Sequence, residues 1–256
     1  MIRFQSFLSG SSGNATFVTD DNTSLLVDCG ANGKYMTECM RRIGANPMNL
    51  SGILITHEHN DHIAGAGILS RKFDIPIYAT EKTWAVMENA IGKIADKNRR
   101  ITEKEMEFFG LTVTSFSLSH DAADPVGYSF LTGNHKFTIA TDLGHITPEI
   151  EKNLLGSQAV ILEANHDVTM LTKGRYPYPL KKRILSENGH LSNDACGEMC
   201  VRLAESGTHA LWLGHLSNEN NRPQLAYDTV HQHLTAAGLT VGGGLSLNVL
   251  PRYWIT

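Results

Sequence analysis

The segment Thr56-His57-Glu58-His59-Asn60-Asp61-His62 places three imidazoles and two carboxylates within one short stretch, directly after the apolar run Gly52-Ile53-Leu54-Ile55. Imidazole and carboxylate together suit zinc, manganese or iron. The apolar run reads as a buried strand, and ligands gathered where such a strand ends and a helix begins sit in a crevice. An open catalytic metal typically keeps about three protein ligands and a water. His57, His59, Asp61 and His62 are too many for one such ion and suit two adjacent ones.

Further candidates follow other apolar or alternating runs. Phe116-Ser117-Leu118-Ser119 delivers His120, Lys136 to Thr141 delivers Asp142, and His209 to Gly214 delivers His215. HxHxDH, then a lone His, a lone Asp and a final His resembles the ligand order of the metallo-β-lactamase superfamily. That resemblance spans the chain from its first hairpins to its last helix. It implies a four-layer αββα sandwich in which His57, His59 and His120 hold one metal. Asp61, His62 and His215 would hold a second, with Asp142 bridging. The expected cofactor is thus a pair of divalent ions, Zn2+ or Mn2+. Such a pair would lower the pKa of a shared water and neutralise phosphodiester oxygens. No protein nucleophile is needed and none is evident, with no GxSxG motif and no activated cysteine.

The elements that must position these residues are legible in outline. Arg3 to Leu8, Ala15 to Thr19 and Ser24 to Gly30 read as strands joined by turns. Helical periodicity runs from Lys34 to Gly44, from Asp61 or His62 to Phe73 as one helix, and from Glu81 past Ile91. Strands return between Met106 and Asp142, with Gly133-Asn134 as a hairpin turn. Thr147-Pro148 reads as an N-cap and first helical residue. Ala159 to Glu163 is another buried strand, and Asp167 to Gly189 has little clean period. Helices are predicted after Ser192-Asn193 and after Pro223, and Leu245 to Leu250 closes a sheet. No repeat or linker is apparent, so residues 1–256 read as a single domain without a large insertion.

Composition is that of a soluble enzyme: 256 residues, 41% hydrophobic and 19% charged, with a net charge of −4. That balance excludes a globally basic nucleic-acid binder but not local patches. No stretch approaches the ~20 apolar residues of a membrane span, and the first residues lack the apolar core of a signal peptide. A cytoplasmic location is expected. Cys29, Cys39, Cys196 and Cys200 lack CxxC spacing, and Cys196 and Cys200, four apart on a predicted helix, read as reduced, part-buried thiols.

Absences narrow the branch. Class B β-lactamases usually lack the final His of HxHxDH, whereas His62 is present. Thioesterase relatives carry a helical domain after the last ligand, and RNA-processing relatives need far more than the 72 residues between Asp142 and His215. Ser9-Gly10-Ser11-Ser12-Gly13-Asn14-Ala15, Glu163-Ala164-Asn165-His166-Asp167 and Asn188-Gly189-His190-Leu191-Ser192-Asn193 together resemble the YycJ (WalJ) family. That family implies 5′-to-3′ exonuclease action on DNA, with RNA as the other polymer to consider. Ala164 departs from the serine expected there.

A phosphate substrate also fits the residues themselves. His190 precedes a helix capped by Ser192 or Asn193, where unpaired N–H groups favour an anion. His190 is therefore expected to clamp phosphate or to protonate the leaving oxygen, unless it merely packs beside the helix. His166 would touch the metal shell or substrate, or serve a structural hydrogen bond. Catalysis is thus expected from Asp61, His190 and His166, with Asp28 and Asp167 orienting ligands from behind. Between Asp167 and Gly189, Lys173, Arg175, Lys181, Lys182 and Arg183 stand against Asp167 and Glu187, with Tyr176 and Tyr178 interleaved. Basic residues of this kind track a phosphate backbone and aromatic rings stack bases. The run Lys93 to Arg100 is similarly basic, or is a solvated face. The competing expectations are a small-molecule or cyclic-nucleotide phosphodiesterase, a thioesterase-type hydrolase, and a non-catalytic binding module of the same fold.

Overall fold

A computed structural model describes residues 1–255. The first half contains β1 (Arg3–Leu8), β2 (Ala15–Thr19), β3 (Ser24–Val27), α1 (Gly33–Arg42), β4 (Gly52–Leu54), α2 (Asn60–Ile63), α3 (Ala66–Phe73), β5 (Ile77–Ala79), α4 (Glu81–Ile91) and β6 (Arg99–Ile101). The second contains β7 (Glu105–Phe108), β8 (Leu111–Ser117), β9 (Val126–Thr132), β10 (His135–Ala140), α5 (Pro148–Leu154), β11 (Ala159–Glu163), α6 (Val168–Lys173), α7 (Tyr178–Ile184), α8 (Asn193–Glu205), β12 (Ala210–Gly214), α9 (Pro223–Ala236) and β13 (Ser246–Val249).

Each half builds one mixed sheet, of order β1-β2-β3-β4-β5-β6 and β13-β12-β11-β10-β9-β8-β7. In both, antiparallel hairpins come first and parallel crossovers follow, so β3 and β10 are the strands where pairing changes from antiparallel to parallel. Strands covered on both faces read as unbroken apolar runs, and the alternation is still visible in what each residue touches. Leu25, Val27, Leu54 and Ile161 point between the sheets, where they meet Val113, Tyr128, Phe130 and Ile139. Leu26, Ile53 and Ile55 point outward onto Met36, Met40, Leu69 and Trp84 of α1, α3 and α4. Val160 and Leu162 point outward onto Ile150, Met199, Leu203 and Val230 of α5, α8 and α9. The result is helix, sheet, sheet, helix: the four-layer sandwich.

Two boundaries differ from the sequence reading. The helix expected from Asp61 to Phe73 breaks into α2 and α3, because the N–H of Gly65 turns away to the carbonyl of Cys29 at 2.8 Å. A Cβ at Gly65 would lie 2.1 Å from the carbonyl of Ala31, so the chain passes only because the residue is glycine. The aperiodic stretch 167–189 folds into the short helices α6 and α7. Among the described residues no helix is long and apolar enough to cross a membrane. The four thiols are free and buried.

Candidate metal centre

The residues singled out in sequence leave the C-terminal ends of strands from both sheets and meet at one edge of the sandwich. His57 to His62 follow β4, His120 follows β8, Asp142 follows β10 and His215 follows β12. Asp28, Asp142 and His215 all have positive φ, at 58°, 64° and 54°. A left-handed backbone costs an L-residue roughly 1–2 kcal/mol, though Asp and His tolerate it better than most. Three such turns at one sheet edge are strain held where side chains must be aimed inward.

The aim brings their ligand atoms together. Ligand atoms of His57, His59 and His120 lie within 4.8 Å of one another, as do those of Asp61, His62 and His215. Asp142 stands between the groups, its Oδ2 3.3 Å from His62 Nε2 and its Oδ1 3.8 Å from His120 Nε2. Several of these atoms lack protein partners: His120 Nε2, His215 Nε2 and Asp142 Oδ2 are buried and form no hydrogen bond. His57 Nε2 and His59 Nδ1 approach to 3.0 Å. Buried polar atoms left unpaired are costly, and imidazole nitrogens brought face to face fit lone pairs converging on a cation. The donor set therefore suits divalent metal, and the groups overlap: His57, His62 and Asp142 form another, and Asp142, Glu163, His190 and His215 a further one.

The opposite edges of the rings are held. His62 Nδ1 lies 2.8 Å from Asp28 Oδ2, and Asp28 also accepts from the N–H and hydroxyl of Thr56. His57 Nδ1 meets the Thr56 hydroxyl at 3.0 Å, and His120 Nδ1 meets the Gly189 carbonyl at 3.0 Å. Such partners fix tautomer and ring orientation.

Electrostatics point the same way. Among the described residues, no Lys or Arg pairs with Asp28, Asp61, Asp142 or Glu163. Burial, reinforced by the charge of His62, holds the His57 imidazole well below its ordinary value, so its lone pair is free. Burial likewise lowers His120. Burial would raise Asp142, but His215 and His62 hold its carboxyl well below the usual carboxylate range. Against burial, Asp142, Asp61 and Glu163 push His215 up to about 10. Protons thus sit where a bound cation would replace them.

Sequence reasoning gave Glu163 no role, yet it organises half the site. It is fully buried at the end of β11, and its Oε1 accepts from His190 Nδ1 at 2.9 Å and His215 Nδ1 at 2.8 Å. Its Oε2 accepts the N–H groups of Leu143 and Leu191. An acid closing an interior apolar strand was one available signal. Another was that both imidazoles open the same tetrapeptide, His-Leu-Ser-Asn, at 190–193 and 215–218. Asn14 was also missed: its Nδ2 lies 3.0 Å from His62 Nε2 and 3.4 Å from Asp61 Oδ2.

Other expected contacts are corrected. Ser192 caps α8 by accepting from Ala195 N, Asn193 is buried with its amide paired to Asn221, and Asn193 N–H bonds the carbonyl of His166. Both side chains are thus engaged at the helix start, and the amides there are largely spent. His166 is buried, has no hydrogen bond at either ring nitrogen and joins none of the ligand groups, so the structural hydrogen bond also expected of it is not formed by its ring. Asp167 caps α6 through Met170 N rather than orienting a ligand. Of the five basic residues, only Arg183 lines the cavity of about 160 Å³ that reaches His190, and it is paired there with Asp121. Lys181 donates to the Thr172 carbonyl and lines a separate groove with Lys182 and Tyr178, while Lys173 and Arg175 line neither. In the second basic run, Lys97 pairs with Asp74 and Arg99 lies over Trp84, as a structural face would.

Comparison with known proteins gives the family. Residues 8–216 match the family model of the metallo-beta-lactamase superfamily. The exodeoxyribonuclease YycJ of Bacillus anthracis is 40% identical over 249 residues, covering 96% of this chain and 94% of that protein. The exodeoxyribonuclease WalJ of Streptococcus pneumoniae serotype 2 is 41% identical over 244 residues, covering 94% and 91%. The metallo-beta-lactamase fold protein YhfI from Bacillus subtilis superposes with a TM-score of 0.72 at 15% identity, covering 99% of this chain and 98% of that one, a likeness of fold. This chain belongs to the metallo-beta-lactamase superfamily and, within it, to the family that includes YycJ and WalJ.

Proposed function

We propose that this protein is a metal-dependent exonuclease that hydrolyses DNA from the 5′ end. The observation that carries the reading is the joining of a complete ligand set to full-length likeness with two proteins named as exodeoxyribonucleases. His57, His59 and His120 would hold one divalent ion and Asp61, His62 and His215 another, with Asp142 shared and Zn2+ or Mn2+ as the ions. When bound, such ions supply Lewis-acid charge to the phosphate and an acidified water as nucleophile. The reading takes residues 1–256 as one catalytic unit, and a cytoplasmic location accords with its substrate.

The chain's own contribution is positioning and proton supply. Asp28 and Glu163 fix the rings of His62 and His215 from behind. Against burial, Glu163 raises the His190 imidazole above its ordinary value and occupies Nδ1, leaving Nε2 for the substrate. An imidazolium there can clamp a phosphate oxygen or return a proton to the leaving 3′ oxygen. General acids of this kind contribute roughly 10²–10⁴-fold.

His190→Ala is therefore expected to retain its metal while kcat falls by about 10²-fold or more. Metal analysis beside single-turnover rates checks this, and equal loss of metal would move His190 into the ligand set. The substrate class is tested by offering DNA, a cyclic nucleotide and bis-p-nitrophenyl phosphate to metal-loaded protein. Preference for the polymer supports the exonuclease, and turnover of the cyclic nucleotide with intact DNA favours the small-phosphodiester reading.

A further inference from the structure

We propose that the cavity beside His190 seats the unpaired base of the nucleotide next to the scissile phosphate, so that the enzyme acts on single-stranded or frayed ends. The assignment rests on the exonuclease reading and specifies what that enzyme grips. The cavity holds about 160 Å³, enough for one ring system and too little for a base pair. Its two walls differ in chemistry. Leu180, Arg183 and Ile184 stand at i, i+3 and i+4 on α7 and so share one face, and the half-buried Tyr176 adjoins them. Ser11, Asn165 and Ser217 form the polar side. Asn165 spends its amide N–H on the carbonyl of His215, which leaves its oxygen as an acceptor.

A base offers the complementary pair of features, an apolar π face and a polar edge. His190 belongs both to this cavity and to the group of ligand atoms with Asp142, Glu163 and His215. A phosphate held at His190 thus lies between the metal ligands on one side and a pocket of base size on the other. The pairing of Arg183 with Asp121, the residue after His120, ties α7 to the loop that carries His120 and holds Leu180 and Ile184 in register with it. A paired end nucleotide must leave its partner to enter, at a cost that is least for an end already unpaired.

The test uses metal-loaded protein and single strands of one sequence, ending 5′ in either a natural or an abasic nucleotide. The expected kcat/KM for removing the end nucleotide is about tenfold higher with the base present, the scale of one base–aromatic stack. Tyr176→Ala should bring that ratio close to one, and Tyr176→Phe should preserve it. Leu180→Trp, which fills the cavity from the other element, should abolish the preference by a second route, and metal content checks that each variant is folded. Equal rates on the two ends by the wild-type protein, or a preference that survives both Tyr176→Ala and Leu180→Trp, would overturn the base pocket while leaving the exonuclease standing. Failure of the exonuclease reading looks different, because then neither strand is cut, and the pocket assignment falls with it.

Discussion

Asp142→Asn protein is expected to lose bound metal and nearly all hydrolysis, with kcat/KM down by about 10³-fold or more. Asp142 is the one carboxylate that faces both trios, and His62, His120 and His215 all lie within 3.8 Å of its oxygens. Removing its charge leaves these imidazoles without the anion that stands among them. The several kcal/mol of charge stabilisation that bound ions supply then disappears, and each 1.36 kcal/mol is about tenfold in rate. Asparagine is the cleaner replacement because the residue has a φ of 64°, which Asn tolerates and Ala does not. Metal content by elemental analysis and activity after dialysis are the readouts. A variant with full metal occupancy and unchanged rate would contradict the shared-ligand assignment.

Glu163→Gln should weaken metal binding by roughly 10–100-fold, the usual cost of disturbing the partner of a ligating histidine, and should lower stability as well. Four donors converge on the two oxygens of Glu163: two imidazole N–H groups and two backbone N–H groups. Glutamine keeps one acceptor and points an NH2 at the other pair. Each buried donor left unpaired costs about 1–3 kcal/mol. The pH dependence carries its own sign. Against burial, His190 and His215 hold the Glu163 carboxyl down to about 2, from an ordinary value of 4.5. In metal-stripped protein its stabilisation is therefore complete above about pH 4.5 and is lost as pH falls towards 2. Thermal unfolding across that range should show a steep acid limb in the wild type and a flatter one in Glu163→Gln. Identical limbs and identical metal affinity would show that Glu163 does not organise the site.

Much of the cluster was legible because its residues are local or follow a recognisable cue. HxHxDH follows one short apolar strand, and His120, Asp142 and His215 each come within three residues of the end of an apolar or alternating strand, a cue that the sequence carries. The layers were legible for the same reason, since unbroken apolar strands need cover on both faces. What was hidden depends on who meets whom. Glu163 finds His190 and His215 at separations of 27 and 52 residues, and Asn14 finds His62 at 48. No periodicity encodes those meetings. The failures are equally physical. Ser192 and Asp167 are good helix caps, which is why they were noticed and also why their oxygens are already in use. A cluster of five basic residues in sequence splits across separate surfaces once α6 and α7 form, and one guanidinium reaches the cavity.

The most direct test of the central claim is a time course on end-labelled single- and double-stranded DNA and RNA, run with metal-stripped protein and again after adding manganese or zinc. The account predicts progressive shortening of DNA from the 5′ end that begins only when metal is restored. Intact polymers in every lane, or shortening that proceeds equally in the stripped protein, would contradict it.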